Sequence, residues 1–463
     1  MKLEFLRPVI NYLPEVKLPR RHVPFKEKLI WTVAILILFF IMGTIYPVGV
    51  TPEILQQKIR GFEQLQLIFA SSIGTIISTG IGPIVTASII LQLLVGAKMI
   101  DLDLTKTEDK ALFQGTQKIL TVLVSFFEAC ALVIATQMVT GTSLIAFTIF
   151  QIALGSILLM YLDEVVSKWG IGSGISLFIA GGVSHTIINA SLNPSREQSG
   201  ILAGIIPNFI EQMVAGNFSL VLLFPVIATI FVFLIIVYGE SMRLEIPLSY
   251  GGIRGIGGRY PIKFFYVSNI PVILASALLM NLQLWAGFVG INMNDPQPIE
   301  QMTFLQKSVF YTVSYVTEGH LRGIISPERW VEIFDTQLLL HLFTYLLVFI
   351  GLCVLFGQFW VQTTGLDAET VAGQLHQYNV SIPKWRSDKR TIKYVLDKYI
   401  PQITIISSVA VGFVSVGADL MGAIGSGTGI LLTVGILYRL YEDVQKEQMA
   451  DMSPAFRQFI GKE

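Results

Sequence analysis

The chain has 463 residues, of which 53% are hydrophobic and only 14% are charged, and its 32 basic and 32 acidic side chains give no formal net charge. This apolar share exceeds what the core of a soluble protein needs, so the composition predicts a polytopic membrane protein. Long apolar runs replace the short alternating strands of a membrane β-barrel, and the sequence therefore predicts an all-α fold.

Ten apolar segments are long enough to cross a hydrocarbon layer of roughly 30 Å as helices. In chain order they are residues 29–46, 73–95, 119–139, 143–162, 171–190, 218–238, 265–286, 336–359, 403–421 and 425–440. Basic residues precede the first segment as in a signal peptide, but no small-residue cleavage site follows it. We therefore expect an uncleaved first span.

The distribution of basic residues predicts the orientation of the chain. If the N-terminus is cytoplasmic, most of the 32 Lys and Arg residues lie in cytoplasmic segments or at cytoplasmic helix ends. The exceptions are Lys58, Arg60, Arg196, Lys307, Arg322 and Arg329. By the positive-inside rule, both termini should lie in the cytoplasm, as an even number of spans also requires.

Catalytic and cofactor motifs are not found in the sequence. It has no nucleotide-binding Gly-rich Lys motif, no metal-ligand cluster and no nucleophile triad, so we expect neither an enzyme nor a bound cofactor. Cys130 and Cys353 lie within apolar runs, where a thiol behaves as a small hydrophobic group. We expect both to be free rather than joined in a disulfide or bound to metal.

Two short stretches of the chain recur in the same order. Residues 83–91 align without a gap on 271–279, and the Ile-Gly-Ser-Gly of residues 171–174 aligns on 424–427. Splitting the ten spans after the fifth puts these partners at equivalent places, and an odd number of spans per half predicts an inverted repeat. The expected domains are an N-terminal half (1–195), an external hinge loop (196–217) and a C-terminal half (218–463).

The segment between the first two spans is too polar to cross a membrane. Thr51, Pro52 and Glu53 have the pattern of a helix start, with a cap, a first-turn proline and an acid. Residues 63–72 lead into the glycine-rich entrance of the second span, which favours a re-entrant segment. An ordinary external loop is the alternative.

Several separated blocks together point to one family. They are the PFKEK of residues 24–28, TGIGPIVTASIILQLLVG of 79–96, ALFQG of 111–115, YLDE of 161–164, KWGIGSGISLFI of 168–179, YPIK of 260–263 and SNIP of 268–271. In these blocks the chain resembles the large (alpha) subunit of the SecY family of protein-conducting channels, in its archaeal/eukaryotic-type branch. The resemblance implies a clamshell of two pseudo-symmetric inverted five-helix halves around an hourglass pore.

The resemblance also implies an apolar ring at the pore constriction and a plug that seats below it on the external side. The ring residues are Ile81, Val85, Ile175, Ile179, Ile273 and Leu432. The plug residues are Glu63, Gln64, Leu65, Gln66, Leu67, Ile68, Phe69, Ala70, Ser71 and Ser72. Two ring pairs have i,i+4 spacing, and the repeat aligns Val85 with Ile273 and Ile179 with Leu432. Ordinary helix packing is the alternative for each residue taken singly.

A lateral gate is implied between spans two and three on one side and spans seven and eight on the other. Thr86 and Asn281 match its polar positions. For Asn281, the alternative is a bond to a neighbouring carbonyl. We expect Glu128 to be a structural carboxylate bonded to another helix rather than part of an ion pathway. We also expect Asp163 and Glu164 to form a solvated salt pair near Lys168, and His341 to be a satisfied interior polar group.

Two long basic loops, residues 240–263 and 366–398, are expected to face the cytoplasm. The resemblance implies that they dock on a ribosome through Arg254, Arg259, Lys384, Arg386, Lys389 and Arg390, since RNA phosphates attract basic side chains. No role is predicted for the long external stretch 287–335.

The resemblance further implies two small membrane subunits as partners, of the SecE (gamma) and Sec beta types. The expected substrates are secretory and membrane-protein nascent chains, and the expected location is the cell membrane, where the lipid bilayer receives apolar segments. An inverted-repeat transporter and a scaffold or insertase without a continuous pore are the rival readings. A transporter would need polar ligands at the midplane, where this chain offers Ile, Val and Leu.

Overall fold

The computed structural model describes residues 7–10, 12–21, 23–50, 66, 69–96, 99–100, 102, 106–136, 138–139, 141–196, 201–250, 257–267, 269–286, 291, 302–377, 380–381 and 389–452. Helices dominate these residues. Those before the predicted hinge, and the one within it, are α1 (Arg7–Ile10), α2 (Phe25–Met42), α3 (Gly82–Gly96), α4 (Thr107–Thr136), α5 (Thr142–Trp169), α6 (Gly174–Leu192) and α7 (Ile205–Val214).

The second part of the chain contains both helices and strands. In order they are α8 (Phe224–Ser241), β1 (Arg243–Tyr250), β2 (Gly257–Lys263), α9 (Ile270–Ala286), α10 (Phe304–Val316), α11 (Thr336–Thr363), α12 (Ala368–Gln377), β3 (Val380–Ser381), α13 (Lys389–Leu420) and α14 (Gly427–Met452). Short 3₁₀ turns cover Leu220–Leu223, Gly319–Leu321 and Trp330–Phe334.

Each of the ten predicted spans overlaps one helix, namely α2 to α6, α8, α9, α11, α13 and α14. Among the described residues, six helices are long and apolar enough to cross a membrane: α4, α5, α6, α8, α11 and α13. The apolar helices α3 and α9 are shorter, with 15 and 17 residues. The multi-pass membrane architecture predicted from composition is therefore present.

The second and seventh spans begin later than predicted. Residues 73–81 and 265–267 form turns and bends rather than helix. The helices α3 and α9 start only at Gly82 and Ile270. In each helix the second residue is a proline, Pro83 or Pro271, whose missing N–H is tolerated in a first turn. Apolar composition alone could not separate these irregular entrances from the helices that follow. The two aligned prolines occupy the same position in their helices.

The two halves meet along two seams. On one seam α3 packs against α9 and α11, and α4 packs against α9. On the other seam α14 packs against α6 and α2. One continuous cluster of buried apolar side chains includes residues from both halves. The interior between the halves is therefore a single packed core.

The predicted all-α fold class is confirmed, but one region adds a small sheet that was not predicted. Strands β1 and β2 form an antiparallel hairpin in which Arg243 lies opposite Lys263. Strand β3 pairs with the other edge of β1, so the sheet order is β2-β1-β3 and Ser249 lies opposite Ser381. Because β3 belongs to the second long loop, this sheet joins the two basic loops into one structural unit. The pairing is far apart in sequence and leaves no local signal.

The predicted hinge segment, residues 196–217, is not a plain loop. Arg196 pairs with Leu202 in an isolated β-bridge, and residues 205–214 form helix α7. The segment enters α8 through the 3₁₀ turn Leu220–Leu223. The described part of this connection therefore contains a helix of ten residues.

Candidate functional site

The two Ile-Gly-Ser-Gly motifs set the start of α6 and α14 in the same way. Each helix begins at the last glycine of its motif. An aspartate from the preceding helix accepts hydrogen bonds at each start: Asp163 Oδ1 accepts from Ile175 N at 2.9 Å, and Asp419 Oδ1 accepts from Gly427 N. Carboxylates satisfy the open N–H groups of a helix start and complement its dipole. These caps fix the position of the helices that carry Ile175, Ile179 and Leu432.

The prediction for Asp163 is therefore wrong, because this residue caps a helix instead of forming a solvated salt pair. Its neighbour Glu164 does form ion pairs, with Lys168 at 2.8 Å and Lys118 at 2.9 Å, but its side chain is only 11% exposed. Asp419 was not predicted at all. An acid that shortly precedes each Ile-Gly-Ser-Gly motif was the signal available in the sequence.

The six predicted ring residues all belong to the central apolar cluster. Ile81, Val85, Ile179 and Leu432 are at most 5% exposed, while Ile175 and Ile273 are half-buried against them. They come from the entrance and first turn of α3 and from α6, α9 and α14, and thus from both halves. The six side chains are thus brought into one apolar cluster, and their role as a pore ring stays a prediction.

The end of the predicted plug segment contacts this cluster. Phe69 and Ala70 are each 2% exposed, and Ile81 N donates to the carbonyl oxygen of Phe69 at 2.8 Å. Ala70 lies beside α6, since a Cβ built on Gly182 would be 3.7 Å from its Cα. Gln66, Ser71 and Ser72 are also described, and Ser71 N donates to Gln66 O at 2.9 Å. Glu63, Gln64, Leu65, Leu67 and Ile68 lie outside the described residues.

Gly80 allows this close contact. Its φ is +53°, a left-handed conformation that favours glycine. A Cβ at this position would lie 2.1 Å from the carbonyl oxygen of Phe69. No side chain fits there while the plug segment keeps this position.

A chain of buried hydrogen bonds crosses the first seam. Asn281 Nδ2 on α9 donates to Thr86 Oγ1 on α3 at 2.7 Å, and the Thr86 hydroxyl donates to Glu128 Oε1 on α4 at 2.6 Å. All three residues are at most 5% exposed. The prediction that Glu128 bonds to another helix is confirmed. Asn281, for which a bond to a neighbouring carbonyl was the alternative, donates to a hydroxyl on another helix.

Other contacts pack the same seam tightly. A Cβ built on Gly96 of α3 would lie 2.4 Å from the Phe359 ring of α11, so these two helices touch directly. The rings of Phe127 on α4 and Trp285 on α9 meet edge to face with centroids 6.1 Å apart. Asn281 Oδ1 has no hydrogen-bond partner among the described residues. Among the described residues, Asn281 and Thr86 therefore form a polar link inside a largely apolar contact.

The interior His341 and the cysteines have simple roles. His341 Nε2 lies 2.8 Å from the carbonyl oxygen of Thr317, as expected for a satisfied interior group. Cys130 and Cys353 are both free thiols. In the part of the chain that the structure describes, no group of three or more His, Cys, Asp or Glu side chains could hold a metal.

The predicted docking residues are only partly described. Arg259 lies on β2, and Lys389 and Arg390 open α13, where Arg390 is exposed. Arg254, Lys384 and Arg386 lie outside the described residues. The three-stranded sheet nevertheless links the loops that carry them.

Comparison with known proteins agrees with these features. The SecY family model matches residues 75–441. The protein translocase subunit SecY of Methanocaldococcus jannaschii is 44% identical over 461 residues, covering 99% of each chain. A solved SecY structure, described as showing that the plug domain stabilises the closed state and maintains a membrane seal, has a TM-score of 0.80. It is 43% identical and covers 96% of this chain and 97% of its own.

A second solved structure is Sec61 in the canine ribosome-channel complex from the endoplasmic reticulum. It has a TM-score of 0.77 and 43% identity, and covers 96% of this chain and 97% of that one. Identity of this extent over nearly the whole length shows common ancestry as well as a common fold. The chain therefore belongs to the SecY family of protein translocase subunits, in its archaeal/eukaryotic-type branch.

Proposed function

We propose that this chain forms the sealed pore of a protein translocation channel, with its constriction at Ile81, Val85, Ile175, Ile179, Ile273 and Leu432. The observation that carries the proposal is the cluster in which side chains from both halves meet around one apolar centre. The plug end, at Phe69 and Ala70, packs into the same cluster. A pore lined in this way needs no ligand set, and the chain belongs to a family of translocase subunits.

The seal follows from the chemistry of the constriction. A narrow apolar pore loses its water and blocks ions, and the plug, residues 63–72, closes it on the external side. When the plug leaves, an extended polypeptide can pass, because the ring offers no hydrogen bonds that would retain particular side chains. Secretory chains cross by this route.

Apolar segments leave by a different exit. An extended backbone cannot enter lipid without leaving polar groups unsatisfied at several kcal/mol each, whereas an apolar helix can. We assign the exit to the seam where α3 and α4 face α9 and α11. The hydrogen bond between Thr86 and Asn281 would hold this seam closed. A hydrogen bond between membrane helices is worth about 1 kcal/mol, which suits a gate that must open and close.

The energy for transport comes from partners, since we assign no catalytic role to this chain. The sheet that joins loops 240–263 and 366–398 supports a common cytoplasmic platform for a ribosome. Its proposed contacts are Arg254, Arg259, Lys384, Arg386, Lys389 and Arg390. A SecE-type subunit would clamp the halves and a Sec beta-type subunit would accompany it. We place the channel in the cell membrane with both termini in the cytoplasm.

Ion conductance of proteoliposomes tests the seal. The wild type, reconstituted with its small subunits, is compared with a variant lacking residues 63–72 and one in which Ile81, Val85, Ile175 and Ile179 are changed to Gly. A matched control is Ile152→Gly, since Ile152 is fully buried in a separate cluster between α4 and α5. We expect leak in the first two variants and none in the control. If both variants stay as tight as the wild type, or if the control leaks equally, the ring and plug assignments are wrong.

A further inference from the structure

Helix α7, in the connection between the halves, has two chemically distinct faces. Ile206, Phe209, Ile210, Met213 and Val214 recur at the spacing of one helix face. Asn208, Glu211 and Gln212 lie on the other face. The pattern is that of a helix with one face in an apolar environment and one in a polar environment.

The polar face of α7 is held by the protein itself. Arg196, just beyond the end of α6, pairs with Glu211 at 2.8 Å. Gln212 Nε2 donates to Asn208 Oδ1 at 3.3 Å, one turn earlier on the same face. The helix also packs against α6 and against the turn that leads into α8. The Arg196–Glu211 ion pair and the packing against α6 set the rotation of α7 about its axis.

The apolar face is left uncovered by the described part of the chain. Ile210 is 51% exposed, Met213 50% and Val214 81%. These exposures leave the three side chains open to whatever surrounds the described part of the protein. In water, so much exposed apolar surface on a ten-residue helix would be unfavourable.

This face continues into the lipid-facing surface of a membrane span. Phe218, which is 64% exposed, meets the ring of Phe209 edge to face with centroids 5.9 Å apart. Exposed Leu220 begins the most apolar span candidate, Leu220–Ser241, which has a mean hydropathy of 3.2 and includes α8. Along α8 the exposed side chains include Ile227. In a multi-pass membrane protein, such side chains contact acyl chains.

We propose that α7 is an interfacial helix whose apolar stripe (Ile206, Phe209, Ile210, Met213, Val214) lies in the boundary between lipid headgroups and acyl chains. The partner is the membrane surface, identified by the continuity of the stripe with the lipid-facing side of α8. Amphipathic helices bind at this depth with the apolar face inward and the polar face toward water. The connection between the halves is thereby held against the bilayer, so the halves can pivot about it without leaving the plane of the membrane.

Site-directed spin labelling of the full chain tests this placement. In a background with Cys130→Ala and Cys353→Ala, single cysteines replace Met213, Val214 or Gln212, with Ile227→Cys as the lipid-facing reference. The chain is reconstituted with its small subunits in phosphatidylcholine vesicles. The accessibility of each label to oxygen, which enriches in lipid, is divided by its accessibility to a water-soluble nickel chelate.

We expect the logarithm of this ratio to be positive at 213 and 214, as at the reference position 227, and negative at 212. A negative value at all three α7 positions would place the helix in water and overturn the proposal. An immobile label at 213 or 214 that neither reagent reaches would show that another protein surface covers the stripe, and this result also overturns it. The readout is independent of translocation, so failure of the proposed pore would not produce either result.

Discussion

Gly80 offers the sharpest test of how the plug segment is seated. Replacing it with alanine puts a Cβ where the carbonyl oxygen of Phe69 lies 2.1 Å away, in a residue whose φ is +53°. The seated segment cannot keep this geometry. Because a displaced plug frees Gly80 to adopt another conformation, the penalty falls on the closed channel alone.

The size of the effect can be worked from two contributions. A left-handed conformation costs a non-glycine residue about 1–2 kcal/mol. Losing the hydrogen bond from Ile81 N to Phe69 O costs about 1 kcal/mol more. The sum of about 2–3 kcal/mol shifts the equilibrium between seated and displaced plug by about 30- to 140-fold.

The assay is ion leak through proteoliposomes of one lipid composition, measured for Gly80→Ala and, as a control, for Gly351→Ala. Gly351 lies within α11 and an added Cβ there meets no atom within 4 Å, so this substitution should leave the channel tight. We expect a rise in leak of the calculated order for Gly80→Ala only. Equal tightness of both variants, with unchanged melting temperatures, would refute the reasoning about the plug contact.

Three further predictions concern the gate, the N-terminal segment and a helix contact. A double-mutant cycle of Thr86→Val and Asn281→Leu should give a coupling of about 1 kcal/mol in the equilibrium between closed and open gate, measured by energy transfer between labels on α4 and α9. Strictly additive effects of the two substitutions would contradict the shared hydrogen bond. Lys168, by its hydrogen bond and charge, lowers the pKa of Glu15 from its ordinary value of 4.5. The ion pair therefore stabilises the folded protein above pH 4.5, and this stabilisation is lost as the pH falls through the lowered pKa. Glu15→Gln should therefore reduce the melting temperature slightly at neutral pH, with the two curves converging in acid, whereas a pH-independent difference would exclude the ion pair as the cause. Gly155→Ala places a Cβ 1.8 Å from a backbone oxygen of the segment that precedes α3, and should strongly lower thermal stability; a wild-type melting temperature would show that this contact can relax.

Much of the architecture follows from sequence patterns because lipid imposes simple rules. Long apolar runs gave ten helix positions, and the aligned Pro83 and Pro271 occupy the second residue of α3 and α9. The second predicted span began too early, because residues 73–81, although glycine-rich, were joined to the apolar run that follows them. Gly74 and Gly80, both with positive φ, were the local signs of a different backbone.

Other features were beyond local reasoning for a different physical cause. The pairing of Ser249 with Ser381 joins segments far apart in the chain, and no short pattern encodes it. The cap that Asp163 provides depends on the approach of α5 to the start of α6, so its acid looked like a surface group. Helix α7 could have been found, because its apolar residues already repeat at helical spacing.

The seam illustrates an intermediate case. The resemblance assigned Thr86 and Asn281 to polar positions of the lateral gate, and the structure brings their side chains to 2.7 Å. The resemblance did not indicate that the Thr86 hydroxyl would donate to Glu128, because the relative rotation of α3 and α4 is set by packing. The order of donors along this chain is therefore information that the structure adds.

The most direct test of the central claim is crosslinking of a polypeptide arrested during translocation. A photoreactive residue is placed at Ile179 in the proposed ring or, as a control, at Ile227 on the exposed surface of α8. We expect adducts between the arrested secretory chain and position 179, and none at position 227. Adducts at 227 with none at 179 would show that the chain does not pass through the centre of this fold.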